Sequence, residues 1–164
     1  MSLRTTPHVE RAVVLHASLP GIHVRKVSRM KITYKGWLNT KGEDSSYSDQ
    51  TETIGTTSAV LGLEAIRVTS SDPNVKVRGK FKVSDVVESN GWAQDNEWLG
   101  GPGFGHHLEW VELKLEGSAA DQYEINYEVH VSGGGWLGIQ KNGAKAGAVG
   151  NRIQAFRAWI TNRN

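Results

Sequence analysis

Tyr123-Glu124-Ile125-Asn126-Tyr127-Glu128-Val129-His130-Val131 alternates without a break, apolar or aromatic at odd positions and polar at even ones. Successive residues of an extended chain point to opposite faces, so this spacing predicts a strand with one face on a core and one in water. VKVRGKFKV (75–83) keeps the same parity. No stretch of helical length carries clean helical periodicity with caps at both ends. Polar, turn-rich joins at SSDPN (70–74) and GSAADQ (117–122) separate the strand-like segments. The expected class is all-β.

The alternating segments recur with a shared grammar. Gly36-Trp37, Gly91-Trp92 and Gly135-Trp136 each follow a strand-like run and precede a polar loop. A second apolar segment then follows: LEAIRV (63–68), LEWVELKL (108–115) and IQAFRAWI (153–160). Stacked, Leu63, Leu108 and Ile153 align, as do Glu64, Glu109 and Gln154, and then Ile66, Val111 and Phe156. We read this as three repeats, at about 28–70, 75–117 and 123–162. A unit this short cannot bury its apolar face alone, so the three must share one core. The expected architecture is a single domain over 1–164 in which three pseudo-symmetric repeats form a β-prism, with a β-trefoil as the alternative. Residues 1–27 fit the repeat least and read as an extra strand or an arm.

Composition bounds the function. The chain has 164 residues, 38% hydrophobic and 22% charged, the balance of a globular domain. With no cysteine, disulfides, thiolate metal sites and a cysteine nucleophile are excluded. A net charge of +2 does not by itself call for nucleic acid. No apolar run is long enough to cross a bilayer as a helix. The N-terminus lacks the apolar core of a secretion signal. The expected location is extracellular or cell-surface if a leader has been removed, and cytoplasmic otherwise. Six tryptophans and 19 glycines are the unusual feature, and point to tight turns carrying large flat side chains.

The pattern resembles the clostridial hydrophobic W repeats: a strand with a histidine, Gly-Trp, an Asp-Gly loop, Ala-Gly-Thr-x-Gly and a final Glu-Ala-Ile strand. The third repeat follows it most fully, with His130, Gly135-Trp136, Asn142-Gly143 and Ala146-Gly147-Ala148-Val149-Gly150 in order. The first keeps the later half, Gly55-Thr56-Thr57 and Leu63-Glu64-Ala65-Ile66. The second departs: Gly100 to His107 is read as replacing the Ala-Gly-Thr box altogether. The resemblance implies a binding module of secreted or cell-surface proteins, for carbohydrate or cell-wall material, without catalytic residues.

Trp37, Trp92 and Trp136 are read first as core plugs, each behind a glycine that eases a turn, and second as stacking platforms for sugar rings. By strand parity Trp110 and Trp159 face away from Val111 and Phe156, which predicts outward tryptophans needing a subunit or a ligand. Trp98, following Asp95, Asn96 and Glu97, is the leading sugar platform: an aromatic face beside groups that bond hydroxyls. The alternative is a loop folded back on the surface. Tyr47 and Asp49 in the first repeat, with Asp44, and Asn142 in the third are the corresponding polar candidates, against ordinary solvated loops. Lys76, Arg78, Lys80 and Lys82 read as a solvated face beside Glu124 and Glu128 rather than a phosphate site. His106-His107 with Glu109 lacks further ligands at useful spacing, so no metal and no cofactor are expected.

The expected function is a non-catalytic, lectin-like module that binds glycans or cell-wall polysaccharide through the loops of its repeats. A structural or protein-interaction module of the cell surface is the alternative. Neither nucleic acid nor membrane insertion is expected as a partner, and a homo-oligomer is left open.

Overall fold

The computed structural model of the chain describes residues 29–47, 52–58, 60–86 and 88–164, with the backbone alone at 45–47. The arm or extra strand expected at 1–27 lies outside the described residues. The strands in order are β1 (Ile32–Leu38), β2 (Gly42–Tyr47), β3 (Ile54–Gly55), β4 (Leu63–Ser70), β5 (Lys76–Val83) and β6 (Leu99–Gly100). There follow β7 (Leu108–Glu116), β8 (Tyr123–Val131), β9 (Gly135–Trp136), β10 (Gln140–Lys141), β11 (Ala146–Gly147) and β12 (Ile153–Asn162). The chain is all-β, in three antiparallel sheets ordered β2-β1-β4-β6, β11-β7-β5 and β10-β8-β12-β3, with β9 also on β8.

Three long pairs carry the structure: β1 with β4, β5 with β7, and β8 with β12. One parity of each strand turns inward. Ile32 and Tyr34, Ile66 and Val68, Val111 and Leu113, Ile125 and Tyr127, and Phe156 and Ala158 all enter one hydrophobic core. Tyr34 meets Phe156 edge to face at 5.5 Å. The alternation at 75–83 is therefore that of a half-buried strand, whereas 123–131 departs from the expected watery face: Asn126 and Glu128 on its polar parity are also buried, at 3% and 6% exposure.

Each long pair breaks register at the same point. Trp37 lies opposite Ala65 but Leu38 opposite Leu63, which leaves Glu64 as an extra residue. Lys82 and Val83 oppose Trp110 and Leu108, leaving Glu109; His130 and Val131 oppose Ala155 and Ile153, leaving Gln154. These are β-bulges, which bend a strand and re-aim its groups. The extra residue is polar every time, and every time it is buried, at 3%, 7% and 6% exposure.

The short strands join the pairs at these bulges. β6 adds to β4, β11 to β7 and β3 to β12, so each long pair receives an edge from the next in a closed circuit. The register is common: Gly100 faces Ala65, Gly147 faces Trp110 and Gly55 faces Ala155. All three glycines have left-handed backbone, with φ of 110°, 94° and 87°. A Cβ on them would sit 2.2, 2.4 and 2.1 Å from the carbonyl oxygens of Glu64, Glu109 and Gln154. Only glycine allows that approach.

Two sequence expectations change here. Leu99-Gly100 takes the same place as Ala146-Gly147 and Ile54-Gly55, so the second loop, read as replacing the Ala-Gly-Thr box altogether, still supplies a strand pair there. The Gly-Trp pairs, in contrast, are not equivalent. Trp37 lies within β1, where the counterparts are Lys82 and His130. Trp136 pairs back onto His130 from β9, and Trp92 precedes Ala93, whose N–H donates to the Gly79 carbonyl. Identical dipeptides therefore sit at different places relative to the three strand pairs.

Gly100→Ala should cost more than 2 kcal/mol or so, combining left-handed strain of about 1–2 kcal/mol with a backbone clash. Gly42→Ala, at φ 89° with open space around it, should lose only the strain. Urea unfolding of both checks this.

Tyr127 supplies a second test. Its hydroxyl donates to the Ala144 carbonyl, and burial pushes the phenol from 10.0 up to about 12. A raised folded-state value means stability is intact below the unfolded value and falls as pH climbs from about 10 toward 12. Tyr127→Phe should lose about 1–2 kcal/mol at neutral pH and show a shallower alkaline decline, read by denaturant titrations across that range.

Candidate functional site

Two tryptophans outside the core meet on the first sheet. Trp37 ends β1 and Trp98 immediately precedes β6; their ring centroids lie 6.4 Å apart at 88°. Arg67, two residues past the Ala65 that faces Trp37, places its guanidinium carbon 4.9 Å from the Trp98 ring centroid. Both indoles and Arg67 are half-buried. The loop after β6 is held beside them: the Gly103 N–H donates to the Glu64 carboxylate at 2.7 Å, and a Gly103 Cβ would meet the Trp37 ring at 3.9 Å. The buried bulge carboxylate thus fixes one wall of the aromatic pair.

Charge around the pair is uneven. Lys35 lies directly opposite Arg67, and its ammonium pairs with Glu43 at 2.7 Å. The hydrogen bond from Lys35 holds the Glu43 carboxyl below the usual carboxylate range, and the charges of Lys35 and Arg67 act in the same direction. Arg67 Nε is buried and has no hydrogen-bond partner.

The residues expected beside Trp98 have other work. Asp95 accepts from the Thr69 hydroxyl at 2.7 Å and from the Val77 N–H at 2.8 Å, tying β4 to β5 with both oxygens. Glu97 accepts from the Gln94 N–H at 2.7 Å and closes the turn. Asn96 is exposed, in left-handed backbone at φ 63°, with its N–H on the Val68 carbonyl. Asn142 is also left-handed, at φ 46°, and its side-chain oxygen accepts from the Ile125 N–H at 3.1 Å. Asp95 and Asn142 thus serve as turn clasps rather than free hydroxyl acceptors. Asp44 accepts from the Gly55 N–H at 3.2 Å. Tyr47, at the end of β2, pairs through its backbone with Thr33 of β1, and Asp49 lies outside the described residues.

Trp110 requires a correction. Its parity is off the core, as expected, but it is only 2% exposed. The incoming β11 lies against it at Gly147, and the Lys145 ammonium covers its ring at 4.1 Å. Trp159 is likewise buried, at 7% exposure, so neither is an outward surface. The Gly-Trp residues are corrected in the opposite sense. None belongs to the core cluster, and each is half-buried. Trp92 lies under Lys114 at 4.3 Å and Lys80 at 5.0 Å. Trp136 lies under Arg157 at 4.2 Å, with His130 edge-on at 5.5 Å. Arg157 is itself held by an ion pair with Glu128.

The basic strand β5 faces carboxylates of β7 rather than those of β8. Arg78 pairs with Glu116 at 2.8 Å and Lys82 with Glu109 at 2.7 Å. Among the described residues no three His, Cys, Asp or Glu side chains cluster as a metal site would require. An apolar cleft of about 380 Å³ opens between Phe81, Val83, Val86 and Phe104, with Phe104 itself 76% exposed.

Sequence reasoning singled out Trp98 without the neighbours, Trp37 and Arg67, that the structure puts beside it. The available signal was parity: Lys35 and Trp37 share a strand face, and pairing puts Arg67 on the same side. No family model, curated protein or solved structure matches the chain.

Asp95→Ala should destabilise the fold by about 2–3 kcal/mol, since it strips acceptors from the Thr69 hydroxyl and the Val77 N–H. Glu97→Ala, which loses one exposed turn contact, should cost less than about 1 kcal/mol by the same urea assay.

Proposed function

We propose that the chain is a non-catalytic, lectin-like module that binds glycans, and that its main site is the Trp37–Trp98 pair. The observation that carries this reading is two half-exposed indoles set edge to face outside the core, with a cation over one and a carboxylate-anchored loop beside the other. An indole ring offers a flat apolar face for the C–H side of a pyranose, and neighbouring polar groups bond its hydroxyls. Locking the platform beforehand reduces the ordering cost of binding.

The same reading takes the architecture as three pseudo-symmetric repeats in a β-prism-like arrangement, akin to the clostridial hydrophobic W repeats. Its support is the common bulge and the common glycine register at the three joins. Trp92 and Trp136, each stacked with cations on another long pair, are secondary candidates. Weak sites at fixed spacing would gain avidity on a polymeric glycan.

A second reading, protein interaction, is favoured by the apolar cleft under the exposed Phe104. A glycan array followed by titration separates the two. Trp98→Ala should keep the fold and weaken glycan binding about tenfold or more, a loss of roughly 1.4 kcal/mol. A blank array from folded protein, or binding that is indifferent to Trp98, would reject the glycan reading. Protein capture abolished by Phe104→Ser would then favour the second.

A further inference from the structure

We infer that the Trp37–Trp98 site takes an acidic glycan, with the anionic group of the sugar on Arg67; this rests on the glycan-binding reading and names its ligand class. Arg67, Glu112 and Arg157 each stand three residues past a bulge, and each has a charged residue directly across its strand pair. Glu112 faces Lys80 and Arg157 faces Glu128, so two of the three positions join opposite charges. Arg67 alone faces a like charge, Lys35. Like charges directly opposite destabilise a sheet.

The neighbouring carboxylate offsets this only through space, since its direct ion pair is with Lys35. Glu43 is engaged by Lys35 at 2.7 Å, and Arg67 makes no ion pair among the described residues. Its Nε is buried without an acceptor, an arrangement that ordinarily costs free energy. Within the site the guanidinium lies over the Trp98 ring. A guanidinium fork matches a carboxylate or a phosphate in two parallel hydrogen bonds. An acidic sugar bonded to the terminal nitrogens of the guanidinium would balance the Lys35–Arg67 repulsion and bring its ring against the indole pair in one step. Sites that trade stability for a ligand commonly carry such uncompensated groups.

The test is calorimetric titration of wild type, Arg67→Gln and Trp98→Ala with an oligogalacturonate, its neutral methyl ester and a poly(glycerol phosphate). Wild type should bind at least one acidic probe, about tenfold or more tighter than the ester, and should weaken as salt is added. Which acidic probe binds distinguishes carboxylate from phosphate. Arg67→Gln should lose about tenfold or more on the acidic probe, change little on the ester, and unfold at no lower temperature than wild type. Equal binding of acid and ester, or an Arg67→Gln protein that binds as wild type, overturns the inference. So does an equal loss on acid and ester together with lowered stability, which would make Arg67 a structural residue. Binding only of neutral glycans on the array, dependent on Trp98, sinks the acidic ligand and leaves the glycan reading standing. No binding to any glycan sinks both.

Discussion

Closure of the sheet circuit depends on one kind of contact: the carbonyl of a bulged residue pressed against a left-handed glycine. Gly55, Gly100 and Gly147 come so close to Gln154, Glu64 and Glu109 that a single methyl group would overlap the oxygen. The contact joins two constraints. The bulge turns its carbonyl out of the regular ladder, and the glycine lets another long pair's edge reach it. Without either, each long pair would keep an open edge and a half-covered apolar face.

The same bulges shape the outer surface, because each buries a polar side chain that must then find a partner. Glu64 takes the Gly103 N–H, Glu109 pairs with Lys82, and Gln154 meets His130. Three similar backbones thereby acquire three different surroundings. Around Glu64 the partner is a loop, which leaves room for Trp37 and Trp98 to meet. Around Glu109 the partner is a lysine, and the space above is filled by Trp110 under Lys145. Around Gln154 it is a histidine, which stands edge-on to Trp136.

Cations lie over the half-buried tryptophans for a related reason. The outer parity of these strands is polar and mixed in charge, so an indole there meets long cationic side chains that can cover its ring while keeping their charged ends near water. Arg157 shows the balanced form, held by Glu128 beneath Trp136. Arg67 shows the other form, with a like charge, Lys35, directly across its strand pair.

What the sequence determined by itself was the strand content, the inward parity and the register of the second strands. Period-two alternation is a local property of an extended chain, which is why 123–131 could be read directly as a strand, although the packing of its neighbours buries Asn126 and Glu128 as well. The stack of Leu63, Leu108 and Ile153 was legible for the same reason, since each of the three precedes a bulged residue and enters the core. Tertiary structure alone decided what covered each face. Trp110 was placed on the correct side, yet only the arrival of β11 buried it. Trp98 was legible, but its partners Trp37 and Arg67 lie 61 and 31 residues upstream and meet it only through the β4–β6 join. Asp95 looked like a free acceptor because its two bonds go to residues on different strands. A side chain's direction follows from its own backbone, whereas its exposure follows from whichever segment packs against it.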